Sequence, residues 1–564
     1  MVLQIKTSRI NAAKKPDLFV FINSILNQPN PIHMHHKIFG KGRSRSLKGI
    51  ISLLLILLII PTLLPAQDPS GAKTGTLGDI DTTAVKVLDT VSKAKDTTVA
   101  GASNTIGKLA AVVQTIGNAD GHNKIAINIM WTLITGFLVM FMQAGFALVE
   151  TGFTQKKNVA HTMAMNFMVY GIGMLGFWIC GFAFMFGGAL NGATLGGAPG
   201  VISHEYVVHL FGHDFGIWGK AGYFLNSDVY DVGVFALFLF QMVFMDTTAT
   251  IPTGAMAERW SFKSFIVFGF FISMFVYPLF GNWVWGGGWL SQLGVNFGLG
   301  HGHVDFAGSS VVHEVGGVAA LAGAMVIGPR LGKYGKDGTV NTIPGHNIPM
   351  ALLGTFILAF GWFGFNPGST LAGSDLRISV IAVNTMLASA AGAFAAMIFM
   401  YAKGQKPDPG MLANGMLAGL VAITAPCAFV TSLSAVVIGL VAGVLVIVVY
   451  NFLDRKLKID DPVGAFAVHG ANGFWGVLSL GLFADGSYGD GWNGVPGTVK
   501  GLFYGDGKQF VAELIGGLTC FVFVFAVMYV FFKLSDKVVK LRVSEQVEKD
   551  GLDIPEVGAL GYVD

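Results

Sequence analysis

The chain has 564 residues and a formal net charge of +3, and 53% of its residues are hydrophobic whereas only 12% are charged. Soluble domains carry about 25% charged residues, and the mean hydropathy of this chain is +0.62. The composition therefore excludes an ordinary soluble domain and indicates a chain that lies largely within a lipid bilayer. The sequence predicts no cofactor, no metal and no nucleic-acid partner.

Residues 1–66 have the pattern of a secretory signal. Residues 37–48 are basic, residues 50–64 form a short apolar stretch, and Ala66 ends it with a small residue before a polar switch. We therefore expect cleavage after Ala66, with Met34 as an alternative start of translation. The competing interpretation is a twelfth, uncleaved span. Its apolar stretch is interrupted by a proline and is shorter than the roughly 20 residues that a spanning helix needs.

Residues 67–124 form the expected external N-terminal extension. Residues 67–120 are polar, rich in Thr, Lys, Asp and Ala, and contain no motif that we can assign. We expect them to be mostly disordered. The membrane domain follows over residues 125–533, and residues 534–564 form a polar C-terminal tail.

Eleven apolar segments of the membrane domain have the length of a spanning helix, about 20 residues. The predicted spans are 125–149, 159–187, 232–255, 262–286, 310–328, 347–364, 376–402, 411–430, 433–452, 464–484 and 509–533.

Lys and Arg residues are distributed unevenly between the connections. Sixteen follow the odd-numbered spans and four follow the even-numbered spans. Because positive charge is concentrated in cytoplasmic connections, we expect the N-terminus outside and the C-terminus in the cytoplasm. The long connections 188–231, 287–309 and 485–508 are then external, and the exported start agrees with the signal pattern.

Two histidines stand in the same frame, 156 residues apart: His313 follows Asp305 by eight positions, and His469 follows Asp461 by eight. An ionisable side chain in a span costs roughly 2.5–3.5 kcal/mol on insertion scales, so a repeated one indicates a shared central site. The histidines lie in the fifth and tenth predicted spans. This spacing predicts two inverted five-helix repeats, with the eleventh span as a brace.

Several motifs, in the same order over about residues 125–562, resemble those of the ammonium transporter (Amt/Mep/Rh) family, and of its Amt branch in particular. The matching stretches are DFAGSSVVH (Asp305–His313), GWFGFNPGS (Gly361–Ser369), TGAMAER (Thr253–Arg259), WVWGGG (Trp283–Gly288) and the tail from Leu541–Glu545 to Gly551–Asp553. The resemblance implies an all-α membrane protein of the plasma or inner membrane that transports ammonium and methylammonium. It also implies a homotrimer with one pore per subunit.

The same resemblance implies an outer recruitment site and a gate. Trp285 and Ser369, with Phe240, would recruit the cation, which an indole face attracts by roughly 0.5–2 kcal/mol. Phe244 and Phe365 would form a stacked aromatic gate below them. The alternatives are that these aromatic residues anchor helix ends at the membrane interface and that Ser369 is a simple helix cap.

The histidines would share one proton, because two imidazoles in contact titrate as a coupled pair, while neutral ammonia crosses a hydrophobic pore beside them. Asp305 and Asp461 would have structural or electrostatic roles. Without the repeat and the resemblance, the simpler interpretation would be that His313 and His469 each form a hydrogen bond between helices.

Two carboxylates do not fit the family pattern simply. Asp246 lies in the third predicted span, and Glu314 stands where the family usually has an uncharged residue. Buried carboxylates are costly unless they are paired. Either they are hydrogen-bonded to Thr247, to Thr248 or to the backbone, or they lie at a contact between helices, or one of them modifies proton handling in the pore.

Other functions remain open at this point. The protein could be a neutral NH3/CO2 channel of the Rh type, or an ammonium sensor that signals through its cytoplasmic face. The tail resembles the family segment that responds to PII-type regulatory proteins, so such a partner is expected there. An enzyme is not expected, because a catalytic zinc needs three protein ligands and Glu314 points about 100° away from His313 on a helix.

Overall fold

The computed structural model describes residues 100–187, 193–195 and 205–563. The predicted signal region, residues 1–66, and the first part of the polar extension lie outside the described residues.

The described part of the membrane domain contains eleven apolar helices, of which ten are long and apolar enough to span a bilayer and α8 is shorter. In chain order they are α1 Ala100–Phe153, α2 Lys156–Phe186, α3 Val232–Ala255, α4 Phe262–Trp285, α5 Ser309–Ile327, α6 Ile348–Thr370, α7 Ile378–Ala402, α8 Pro409–Thr424, α9 Ser432–Leu457, α10 Phe466–Phe483 and α11 Gly507–Val538.

Helix α8 departs from the prediction at its C-terminal end. The sequence predicts a span over residues 411–430, but the helix ends at Thr424. Pro426 has no backbone N–H, and a proline disfavours helical backbone at the residue before it. The prediction of a full-length eighth span is therefore wrong by about one and a half turns.

Helix α1 departs in the opposite direction. It begins at Ala100 and continues without interruption into the first span, so the expectation that residues 67–120 are mostly disordered is wrong for residues 100–120. Those residues contain no proline, and nothing in the backbone chemistry forces the helix of the span to begin later.

Helices α5 and α10 cross at closely packed glycines. A side-chain carbon added to Gly317 would lie 2.1 Å from the backbone nitrogen of Gly470, so only glycine permits this approach. The crossing lies one turn or less beyond each histidine, and it brings the two repeated frames into contact. Both helices also begin with a wide, π-helical turn that contains the histidine, Ser309–Glu314 and Phe466–Ala471. Such turns are frequent at functional sites.

The connection between α2 and α3 contains a β-hairpin that the all-α prediction omits. Strand β1, Glu205–Leu210, pairs antiparallel with β2, His213–Gly219. The indole of Trp283 at the end of α4 donates to the carbonyl of Ile217 at 3.0 Å. The hairpin is therefore attached to the helix end that carries Trp285.

The C-terminal tail docks on the opposite end of the bundle. It contains a short helix, Glu545–Asp550. Glu548 accepts a hydrogen bond from the backbone of Leu331 at 2.7 Å. Asp553 accepts one from the backbone of His161 at 2.9 Å. These contacts join the tail to the connection after α5 and to the start of α2.

Candidate functional site

Each histidine-bearing helix is held by the aspartate of its own frame. Asp305 accepts hydrogen bonds from four consecutive backbone N–H groups, those of residues 308–311, at 2.7–3.0 Å, and from the Ser310 hydroxyl at 2.7 Å. Asp461 accepts from the backbone of Gly464 at 3.0 Å and of Phe466 at 2.9 Å. Because these carboxylates satisfy free N–H groups at a helix start, both contacts agree with a structural role.

The two histidines meet at the centre of the bundle. The Nδ1 atoms of His313 and His469 are 3.2 Å apart, and the rings are inclined by 25°. A neutral imidazole carries one donor and one acceptor nitrogen. The 3.2 Å distance allows one ring to donate to the other, with a single hydrogen between them. His313 is fully buried, whereas His469 is 6% exposed, because its ring faces a cavity that is described below.

A stack of aromatic rings leads from one end of the bundle to His313. Phe244 and Phe365 are stacked with centroids 4.0 Å apart, and His313 stacks on Phe365 at 5.3 Å. Trp285 meets the edge of Phe244 at 6.2 Å. A centroid separation of 4.0 Å leaves no room for a water molecule between the two phenylalanines, so the stack is closed.

The residues at the open end of the stack present acceptors and an aromatic face. The hydroxyl of Ser369 donates to the carbonyl of Phe365 at 2.8 Å, which leaves its oxygen lone pairs to accept from an N–H donor. The indole of Trp285 donates to the Asp305 carbonyl at 2.6 Å, which fixes the ring. Phe240, the third residue of the expected recruitment site, is 1% exposed. Its ring centroid lies 4.6 Å from that of Phe244. Its ring therefore lies against the aromatic stack, and its part in recruitment stays a prediction.

Comparison with known proteins shows which family has this sequence and fold. The model of the Ammonium Transporter Family matches residues 130–562. The chain belongs to this family. It is 46% identical over 441 residues to "Ammonium transporter Amt2" of Archaeoglobus fulgidus, covering 78% of this chain and 89% of that protein. The protein is thus a multi-pass membrane transporter of ammonium, and the family is not enzymatic.

Solved structures agree with this assignment. A structure titled "Sensor Amt Protein" superposes with a TM-score of 0.67 at 38% identity, covering 77% of this chain and 99% of that one. Mep2 of Candida albicans superposes with a TM-score of 0.62 at 28% identity, covering 75% of this chain and 87% of that one.

The two carboxylates that did not fit the pattern lie inside the transporter. The Oδ1 atom of Asp246 and both carboxyl oxygens of Glu314 have no hydrogen-bond partner among the described residues. The hydroxyls of Thr247 and Thr248 donate to backbone carbonyls of their own helix. Of the alternatives above, pairing of Asp246 with these threonines is therefore wrong, whereas placement at a contact between helices fits Glu314. Glu314 lies against Gly473 of α10.

A buried polar chain at the Trp285 end of the transporter was missed by sequence reasoning. His303 Nδ1 lies 2.7 Å from Glu513 on α11, and His303 Nε2 lies 3.0 Å from the Ser310 hydroxyl, which in turn reaches Asp305. Burial alone would lower the pKa of His303, but the carboxylate of Glu513 raises it above its ordinary value. This series of polar contacts joins α11 to the start of α5. The "x-His-x-Asp" spacing of residues 302–305 contains no signal that would have identified Glu513 as the partner.

Two cavities on the tail side of the histidines were also missed. A small cavity of about 20 Å³ is lined by His469, Phe146 and Glu150, among others. A larger vestibule of about 910 Å³ lies next to it, at the tail-side ends of the helices. Its lining includes Arg330, Lys333, Asn414, Tyr450, Asp454 and Val463. Asn414 and Val463 line both cavities. The first predicted span ended at residue 149, which placed Glu150 outside the membrane domain's core.

Proposed function

We propose that the chain crosses the cell membrane eleven times as two inverted five-helix repeats with α11 as a brace, its N-terminus outside and its C-terminus in the cytoplasm. The Lys and Arg distribution supports this orientation. The repeat is supported by the two aspartate caps and by the meeting of the two histidine frames. Within this orientation the Trp285 end is external and the vestibule is cytoplasmic. By family resemblance the functional unit is a homotrimer.

Ammonium is recruited at the external end by Trp285 and Ser369. The cation donates a hydrogen bond to the Ser369 oxygen and lies against the indole face. Potassium cannot donate a hydrogen bond, so it gains less from the serine oxygen. The closed gate of Phe244 and Phe365 admits the substrate only after it has lost its water, and hydrated potassium therefore passes poorly.

Below the gate, ammonium loses a proton to the histidine pair. The proton moves from the ammonium nitrogen onto an imidazole nitrogen, and the pair of His313 and His469 carries it while ammonia crosses beside them. The observation that carries this proposal is the 3.2 Å contact between the two Nδ1 atoms.

Current recording on reconstituted protein tests the proposal. Proteoliposomes on a solid-supported membrane should give currents under ammonium and methylammonium gradients and little current under a potassium gradient. Potassium currents comparable to those of ammonium would refute the recruitment and gate assignments. An ammonium-dependent internal pH change without current would instead favour a neutral NH3/CO2 channel of the Rh type.

A sensor is the second candidate, and two observations favour it. A solved structure similar to this chain is titled "Sensor Amt Protein", and the tail of this chain docks beside the vestibule through Glu548 and Asp553. A PII-type protein is the expected partner at this face. The sensor function predicts that ammonium changes protease protection of the tail even in a variant that does not transport.

A further inference from the structure

We propose that Glu150 is a second proton-carrying group of the pathway, at which ammonium is re-formed on the cytoplasmic side of the histidine pair. This inference rests on the proposed relay through His469. It adds an acceptor that none of the sequence motifs assigns.

The position of Glu150 follows from the helix that carries it. Phe146 and Glu150 are one turn apart on α1, so both side chains lie on the same face. Both line the small cavity into which His469 faces, and the rings of Phe146 and His469 are 6.1 Å apart. A cavity of about 20 Å³ holds about one molecule of the size of water. Ammonia has this size.

The hydrogen bonds around Glu150 suit a group that changes its charge. The carboxyl accepts from the Asn166 amide at 2.7 Å and contacts the Thr253 hydroxyl at 2.7 Å. The same hydroxyl also lies within hydrogen-bond distance of the Thr250 carbonyl. A hydroxyl has one hydrogen and two lone pairs. It can therefore donate to an ionised Glu150, or donate to Thr250 and accept from a protonated Glu150.

The cavity also has a route onward. Asn414 and Val463 line both this cavity and the vestibule, so a molecule that leaves Glu150 towards the cytoplasm enters a wide space. Asp246 and Glu314, the other unexplained carboxylates of the spans, do not line the small cavity. Glu150 is thus the carboxylate that shares space with His469.

The proton balance is simple. The imidazolium of His469 gives its proton, through the molecule held in the cavity, to a carboxylate oxygen of Glu150, which restores the neutral imidazole. The resulting carboxylic acid protonates ammonia that has crossed the pore. Ammonium leaves into the vestibule, and the carboxylate is regenerated. A buried carboxylate also attracts the newly formed cation, which holds it until it enters the vestibule.

The test compares Glu150→Gln, Glu150→Asp and the control Thr151→Val. Glutamine has the shape of glutamate, accepts from Asn166 and donates to Thr253, but it cannot carry the proton. Aspartate is shorter by one methylene, but it can. Thr151 is the next residue of α1; it is buried, and its hydroxyl has no hydrogen-bond partner among the described residues. Ammonium-driven current and trimer stability are measured on each purified protein.

Proton-transfer groups contribute roughly 10²–10⁴-fold to a rate, so we expect Glu150→Gln to lower the current by about tenfold or more while the trimer stays as stable as the wild type. We expect Glu150→Asp to retain more current than Glu150→Gln, and Thr151→Val to match the wild type. A structural role predicts the reverse order, with glutamine better tolerated than aspartate, and that order would overturn the inference. Full current in Glu150→Gln would also overturn it, with the relay intact. Absence of current in the wild type would instead refute the relay itself, and the inference with it.

Discussion

Replacement of His469 by alanine tests the shared proton most directly. The change removes one of the two nitrogens that lie 3.2 Å apart and leaves Nδ1 of His313 without its partner. In the charged state the lost contact is a charge-assisted hydrogen bond, worth about 1.5–3 kcal/mol. At about 1.4 kcal/mol per tenfold change in rate, this alone corresponds to roughly a 10- to 150-fold loss. Loss of the acid–base group itself contributes roughly 10²–10⁴-fold.

We therefore expect ammonium-driven current in His469→Ala to fall by about 100-fold or more, with the proposed trimer still assembled. The assay is current on a solid-supported membrane, paired with thermal unfolding of the purified protein. His313→Glu is the informative companion, because glutamate can hold a proton at membrane depth. We expect it to conduct and to discriminate less well against potassium.

The result that would refute this reasoning is wild-type current in His469→Ala. A second refuting pattern is loss of assembly or of thermal stability in both single variants, with normal selectivity in the protein that survives. That pattern would make the histidines a hydrogen bond between α5 and α10 and nothing more.

Three further predictions concern the tail and the polar contacts outside the spans. Deletion of residues 541–564 should lower transport without dissolving the trimer, as size-exclusion chromatography and flux assays would show; full transport in the truncated trimer would remove the coupling role of the tail. Burial alone would raise the pKa of Asp460, but the guanidinium groups around it, including that of Arg330 at 2.8 Å, hold it below its usual range. Asp460→Asn should therefore cost about 3–5 kcal/mol of stability, and a melting temperature equal to that of the wild type would contradict this. The pKa of His303 is raised by Glu513, so its contribution to stability is complete below about pH 6.5 and is lost as the pH rises through the raised value. Thermal melts from acidic to alkaline pH should show this loss in the wild type and a flatter profile in His303→Gln.

The repeated histidine frame was predictable because it depends on covalent sequence alone. Asp305 and Asp461 stand eight positions before their histidines, and the structure uses both in the same way, as acceptors for the backbone at a helix start. The stacking of Phe244 on Phe365 was also expected, but only through resemblance to the family, and its role as a gate stays a prediction. Nothing in the spacing of Phe244 and Phe365 indicates that their rings stack.

The remaining features depend on tertiary contacts that no local pattern encodes. Glu150 lies between an apolar stretch and the basic residues that follow α1, where a glutamate is normally an interfacial residue. Its burial results from the packing of Asn166 and Thr253 from two other helices. The pairing of His303 with Glu513 joins residues that are 210 positions apart, and only the fold brings them together.

The asymmetry of the histidine pair connects these observations. The two histidines stand in the same frame of the sequence, yet their surroundings differ. His313 is closed in by aromatic rings, at 5.1 Å from Trp362 and 5.3 Å from Phe365, whereas His469 faces the cavity of Glu150. In the proposed relay, a proton taken up on the side of Phe244 and Phe365 therefore has aromatic rings behind it and the carboxyl group of Glu150 ahead. The sequence repeat supplies the pair, and the residues that are not repeated would give the proposed pathway its direction.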